Sequence, residues 1–148
     1  DKEFKSVSAD DLGLKTEEEK KEAEKQVEEN KDMLNFMKDS LDGKVKQVIL
    51  SQKLKTHPVC LSTDGAISIE MEKVLNSMPT DEKVTAERVL EINANHAVFK
   101  KLCDLYENNK DLLKEYSSLL YTQALLIEGV SIEDPVAFSN QICDLMTR

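Results

Sequence analysis

The strongest hydrophobic pattern lies near the end of the chain, where two apolar segments, residues 111–128 and 135–146, have the spacing of helices. A short link joins them: Gly129 ends the first predicted helix, Asp134 caps the second, and Pro135 occupies its first turn. The first helix is apolar on more than one face, although a helix in a small domain needs only one apolar stripe to cover its core. We therefore predict that the surplus apolar surface pairs with a second copy of the chain.

The N-terminal third is dominated by one long, highly charged helical pattern. Thr16 and Glu19 have the spacing of a capping box, and the predicted helix continues to about Ser40 with its apolar residues on one narrow stripe. Residues 1–43 contain 8 basic and 14 acidic residues, so they carry −6 of the total charge of −9. We interpret this charge run as a solvated face. An alternative is that the acidic helix 16–40 docks a basic partner, which would make the protein a monomeric adaptor.

The middle of the chain alternates between strand and helix patterns. Residues 44–54, 59–63 and 89–93 are rich in β-branched residues or alternate in polarity, as strands do, and the first two are predicted to be antiparallel neighbours. Helical spacing covers residues 66–78 and 98–106. The predicted order is helix, strand, strand, helix, strand and three helices, which is an α+β fold with a small mixed three-stranded sheet.

The composition limits which binding partners and which cellular compartment we expect for the protein. A net charge of −9 argues against binding nucleic acid or anionic membranes, since both favour basic surfaces. The sequence has no apolar run of about 18 residues, so we expect no membrane span. Cys60, Cys103 and Cys143 are odd in number and lack CxxC spacing. We interpret them as buried, reduced thiols in a cytoplasmic protein.

The sequence offers little that resembles a catalytic or metal site. It contains neither a glycine-rich phosphate loop nor an HExxH motif, so we predict no catalytic, cofactor-binding or metal residues and no enzyme activity in this segment. A Cys60 nucleophile with His57 as its base is an alternative, but residues three apart on an extended segment do not normally face one another. His96 lies at a strand-to-helix turn and is predicted to be a structural cap or turn residue instead of a general base.

Four ordered motifs between residues 44 and 146 together resemble one known domain. They are KVKQVILSQKL at 44–54 followed by THPVCL at 56–61, MEK at 71–73, LEINANH at 90–96 and IEDP at 132–135. In this order they resemble the C-terminal domain of the heat-shock protein 90 family of molecular chaperones. Ala94 and Ala97 stand where that family commonly has prolines, and Lys53 replaces an arginine.

The resemblance is to the bacterial branch, the HtpG type, because the chain ends in LMTR without the acidic Met-Glu-Glu-Val-Asp tail of the eukaryotic cytosolic branch. The chain also begins without an initiator methionine, so we expect a piece of a longer protein. The resemblance implies that residues 1–14 are the tail of the preceding middle domain or a linker. Residues 15–148 are then the C-terminal dimerisation domain.

The same resemblance implies a cytoplasmic, homodimeric chaperone that uses ATP and Mg, bound outside these residues, to assist the folding of unfolded or partly folded client proteins under stress. The expected dimer interface is the helix pair at the C-terminus, with these seam residues: Leu112, Leu119, Leu120, Ile127, Phe138, Ile142, Leu145 and Met146. The expected client-binding helix is 66–78, with these contacts: Ile67, Met71, Val74, Leu75 and Met78. Its pattern alone instead favours packing on the sheet.

Overall fold

The computed structural model describes residues 17–51, 54–79 and 83–148, and its fold confirms the predicted α+β class. The helices and strands are α1 Glu17–Glu29, α2 Lys31–Ser40, β1 Gln47–Ser51, β2 Val59–Thr63, α3 Ile69–Ser77, β3 Arg88–Asn93, α4 Ala97–Asn108, α5 Lys110–Ile127 and α6 Pro135–Met146. The predicted tail 1–14 and the Thr16 cap lie outside the described residues. The bounds of α6 are those predicted from the sequence.

The predicted long charged helix is two helices, α1 and α2, which meet at Asn30. The Asn30 side chain donates a hydrogen bond to the Gln26 carbonyl at 2.8 Å, and its backbone has left the regular helical range. Asparagine offers the backbone such local alternatives, which is why it weakens helix interiors. The two halves differ in role, since α1 is largely exposed whereas α2 buries Met33, Leu34 and Met37.

The sheet has the strand order β1-β3-β2, so the predicted pairing of β1 with β2 is wrong. The central strand β3 runs parallel to β1 and antiparallel to β2. In register, Leu90 of β3 lies between Val48 on one side and Leu61 on the other. The central strand is paired on both edges, and its apolar residues Leu90 and Ile92 are fully buried.

The core lies between this sheet and the helices α2, α4 and α5. Its largest fully buried apolar side chains are Met37, Val59, Leu90, Ile92, Leu102 and Leu113. Helix α5 packs against β2 and α4, and α2 packs against β1. Helix α6 differs from these, because it packs against α5 and buries none of its own residues.

Local hydrogen bonds fix the link between α5 and α6 as the sequence predicts. Gly129 has φ +67°, and the amides of Gly129 and Val130 donate to the carbonyls of Leu126 and Leu125. These are the two bonds of a Schellman motif. At the other end, the Asp134 carboxylate accepts a bond from the Ala137 amide at 2.9 Å. Both helix ends are therefore capped by residues of the link itself.

The predicted cap at the start of α4 is also confirmed. The Nδ1 atom of His96 accepts a hydrogen bond from the Val98 amide at 3.2 Å. This bond satisfies one of the amides that a helix N-terminus leaves unpaired. His96 therefore has a structural partner within its own turn.

Candidate interaction surfaces

The first candidate surface is formed by the C-terminal half of α5 and by α6. Its large exposed apolar residues are Leu126 (48% exposed), Ile127, Val136 and Met146 (78% exposed). We call this group, together with the half-buried Phe138, Ile142 and Leu145 of α6, the terminal surface. Exposed apolar residues grouped in this way mark interaction sites more often than singly scattered ones do.

A shallow apolar groove of about 330 Å³ crosses the terminal surface. It is lined by Pro58, Gln123, Leu126, Ile127 and Phe138. The groove joins the two helices of the pair to the segment that leads into β2. An aliphatic side chain from another molecule would fit it, because most of its lining is apolar.

The predicted seam residues divide into two groups in the structure. Leu119 and Leu120 are only 9% and 4% exposed, so this chain's own residues already cover them. Leu112 is half-buried against the same core. By contrast, Ile127 and Met146 are open to solvent. Contact of any of these residues with a second copy stays a prediction.

Sequence reasoning missed Leu126 and Val136, two exposed members of the terminal surface. Leu126 follows Leu125, which is buried, and both belong to one continuous apolar run on α5. Helical spacing relative to the buried Leu113 and Leu120 does not separate them, because 100° per residue places Leu125 and Leu126 about equally far from that face, on opposite sides of it.

The second candidate surface is the outward face of α3. The helix is shorter than predicted, because Ser68 caps it and accepts a bond from the Met71 amide at 3.2 Å. Met71, Val74 and Met78 are about half exposed, at 49%, 55% and 50%. We call these three residues the α3 surface.

The α3 surface contradicts the pattern-only expectation that this stripe packs on the sheet. Of the five predicted client contacts, Ile67 and Leu75 are half-buried, whereas Met71, Val74 and Met78 are exposed. The inward face of the helix instead carries Ile69 and Glu72. The role of the five residues in binding other proteins stays a prediction.

A buried polar network holds the inward face of α3. The Glu72 carboxylate accepts bonds from Arg88 Nη2 at 2.6 Å and from the Ala86 amide at 2.9 Å. Arg88 Nη1 donates to the Tyr121 hydroxyl of α5 at 3.0 Å. These bonds tie α3, β3 and α5 together. Removing one partner of a buried ion pair typically lowers the free energy of unfolding by about 3–5 kcal/mol.

The charges of this network support one another. Burial opposes the positive charge of Arg88, but its bond to Tyr121 and the nearby Glu72 carboxylate outweigh burial and raise the pKa of Arg88 above its ordinary value. The Nε atom of Arg88 is buried and has no hydrogen-bond partner among the described residues. Sequence reasoning did not assign Glu72 a buried partner.

A second tie joins α3 to the end of α5. Lys73 Nζ donates a hydrogen bond to the backbone carbonyl of Glu128, and Glu128 is the C-cap residue of α5. Between the two helices lies an open cleft of about 780 Å³ with a mixed polar and apolar lining, to which residues of the α5–α6 link also contribute. Partial burial and the nearby Glu70 carboxylate raise the pKa of the Glu128 carboxyl, and Lys73 opposes this rise.

The raised pKa of Glu128 predicts a small pH-dependent cost to folding. The folded chain holds a proton on Glu128 at a higher pH than the unfolded chain does, so this group's contribution to stability falls as pH rises above about 4.5. We expect Glu128→Gln to raise the free energy of unfolding at pH 7 by up to about 0.5 kcal/mol. The gain should vanish near pH 4. Urea unfolding at both pH values measures this, and an equal gain at both contradicts the assignment.

The cysteines do not all match the expectation of buried thiols. Cys60 and Cys103 are half-buried, but Cys143 on α6 is exposed, so the expectation is wrong there. The Cys60 thiol lies 3.6 Å from the Glu91 carboxylate, and burial raises the pKa of Cys103. Within the described residues the three cysteines form no disulfide. His57 is exposed, and its carbonyl accepts a bond from Asn93.

Over residues 17–51, 54–79 and 83–148, no cluster of three or more His, Cys, Asp or Glu side chains is arranged to hold a metal ion. No helix in that part of the chain is both long and apolar enough to cross a membrane.

The matches to known proteins agree on one family. The sequence model of the family described as Hsp90 protein matches residues 1–148. The chain is 58% identical over 146 residues to the chaperone protein HtpG of Clostridium acetobutylicum, 56% to that of Clostridium botulinum and 54% to that of Bacillus subtilis. Each alignment covers 99% of this chain and 23% of the relative, so the chain spans about a quarter of the length of these proteins.

Proposed function

Because this chain belongs to the Hsp90 protein family, we propose that it is the C-terminal dimerisation domain of a bacterial chaperone of the HtpG type. Residues 15–148 form this domain, and residues 1–14 are the end of the segment before it. The assignment to the C-terminal domain rests on the four ordered motifs between residues 44 and 146. ATP and Mg act in other domains of the longer protein.

The observation that carries the proposal is the terminal surface. Helix α6 buries none of its residues in the single chain, and Met146 on α6 is exposed together with Leu126 and Ile127 at the end of α5. Two copies related by a twofold axis would cover each other's α5 and α6 and form a four-helix bundle. A second copy suits this surface because, in a twofold dimer, the terminal surface of one chain contacts the terminal surface of the other. The dimer therefore needs no partner of different sequence.

The mechanical role of the dimer is to hold two copies of the longer protein together. Linking two arms at one end raises the effective concentration of each at the other, so their ATP-binding domains meet repeatedly without new contacts. The terminal surface supplies the permanent contact in this scheme. The ATP-driven steps occur elsewhere in the longer protein.

The second part of the proposal is that the α3 surface binds unfolded or partly folded client proteins. Its support is the half-exposed pair Met71 and Met78 with Val74 between them. Methionine side chains are flexible and polarizable, so they adapt to apolar segments of many shapes. Such a surface suits a chaperone, whose clients share exposed apolar groups rather than one sequence.

Sedimentation equilibrium of the 148-residue chain tests the dimer. We expect twice the chain mass at micromolar concentration, with dissociation only on strong dilution. A monomer mass across the whole concentration range would reject the dimer. That result would favour the alternative, a monomeric acidic adaptor, which the exposed and acidic α1 supports. The adaptor would bind a basic partner with an affinity that falls steeply with salt.

A further inference from the structure

Helix α3 has an inverted arrangement of polar and apolar residues. Glu72 is buried with 7% of its surface exposed, whereas Met71, Val74 and Met78 face solvent. We propose that the Glu72–Arg88 pair positions α3, holding it in the rotation that presents the α3 surface outward. The use of that surface for clients rests on the proposed function, but the positioning itself does not.

The contacts of Glu72 define the rotation of the helix. Both carboxylate oxygens are bonded, one to Arg88 at the start of β3 and the other to the Ala86 amide just before that strand. A helix advances 100° per residue, so Ile69 and Glu72 point to one side while Met71, Val74 and Met78 point to the other. A carboxylate anchored at both oxygens therefore fixes which side faces the core.

The anchor itself is fixed from a second direction. Arg88 also donates to the Tyr121 hydroxyl, and Tyr121 is a buried residue of α5. Lys73, the next residue on α3, bonds the carbonyl of Glu128 at the end of the same helix. α3 is thus held at two points along α5, which is the helix that carries Leu126 and Ile127 of the terminal surface.

Burial of the α3 surface would favour the opposite rotation, at the cost of exposing the buried Ile69. Met71 and Val74 would leave water if α3 turned inward, and the Glu72 carboxylate would regain its hydration. The paired and fully bonded carboxylate offsets this tendency, because a charge is tolerated in the interior only with such partners. The network therefore keeps an apolar face in water that would otherwise turn towards the core.

The five methionines of the chain provide a direct test. Met33 and Met37 are buried in the core, Met71 and Met78 lie on the α3 surface, and Met146 lies on the terminal surface. Methyl NMR of ¹³C-methionine-labelled protein with a soluble paramagnetic agent reports the exposure of each methyl separately. In the unchanged chain we expect strong relaxation enhancement at Met71 and Met78 and almost none at Met33 and Met37.

The main variant replaces both members of the pair, as Glu72→Met with Arg88→Met, because an apolar replacement of both partners often preserves stability. We expect the enhancement at Met71 and Met78 to fall at least about twofold, with Met33 and Met37 unchanged. Glu72→Gln keeps the side-chain shape and should give a smaller change in the same direction. The matched control is Glu70→Gln, an exposed glutamate on the same helix, which should change neither signal.

The outcomes separate positioning from general stability. Unchanged Met71 and Met78 signals in a folded double variant would overturn the proposal. So would exposure of Met33 and Met37 in every Glu72 variant, because the pair would then stabilise the whole fold and not the rotation of one helix.

A binding measurement on the same variants keeps the two proposals distinguishable. The probe is fluorescently labelled, reduced and carboxymethylated α-lactalbumin, a permanently unfolded protein, followed by anisotropy. We expect about tenfold weaker binding in the double variant. Loss of Met71 and Met78 exposure with unchanged probe affinity would reject the client role of α3 and leave the positioning role intact.

Discussion

The double variant Leu126→Asp, Met146→Asp should sediment as a monomer at concentrations where the unchanged chain is a dimer. Both side chains are open to solvent in the single chain, so aspartate costs the fold little. In the dimer four side chains are lost from the interface, at about 1.5 kcal/mol each if fully buried. The sum corresponds to a roughly 10,000-fold higher Kd. Sedimentation equilibrium measures the change.

The control is Met71→Asp, which places one aspartate on a methionine of α3 that is about as exposed as Leu126. It should leave the dimer intact, and both proteins should keep the thermal unfolding of the parent domain. A persistent dimer in the Leu126, Met146 double variant would place the interface elsewhere. Leu119→Asp would be a poorer test, because Leu119 is buried in the chain and its loss would destabilise the fold directly.

Replacing Met71 and Val74 together with serine should weaken the binding of an unfolded protein roughly 10- to 30-fold. Truncating an interface residue that matters typically costs about 1 kcal/mol or more, and two such residues give this range. Val74 is chosen because it is exposed, whereas the neighbouring Leu75 is half-buried and supports the fold. Anisotropy of the labelled α-lactalbumin probe gives the affinity.

The control for this prediction keeps the apolar character of the surface. Met71→Leu with Val74→Ile should bind the probe within about twofold of the unchanged chain, and both variants should remain dimers. Equal affinity of the serine variant would show that clients bind elsewhere. Unfolding of the serine variant would show instead that the two side chains belong to the core.

Local signals explain why the helix boundaries near the C-terminus were predicted well. Asp134, Pro135 and Gly129 each act through bonds or torsion angles within a few residues, so a sequence window contains the information. The strand order could not be obtained in this way. Residues 44–54 and 59–63 are close in sequence, which favoured pairing them, but β3 enters between them from about 30 residues away.

The exposure of the candidate surfaces also depends on contacts between residues that are distant in sequence. Helical spacing identifies an apolar stripe on α3 but not whether the stripe faces the core, because Ile69 and Glu72 also share a face. The deciding contact, Glu72 with Arg88, joins residues whose pairing is fixed only when the sheet has formed. The family resemblance supplied the expectation that Met71 and Met78 are exposed. Spacing alone had favoured the opposite.

The two caps of the link between α5 and α6 also bear on how quickly two copies can associate. Gly129 ends α5 and Asp134 caps the start of α6, so one chain already holds both helices and the turn between them. Association then joins preformed surfaces and bears no cost of ordering a segment. We infer an encounter rate in the ordinary range for rigid docking, about 10⁵–10⁷ M⁻¹s⁻¹, with the lifetime of the dimer set by how slowly the apolar contact comes apart.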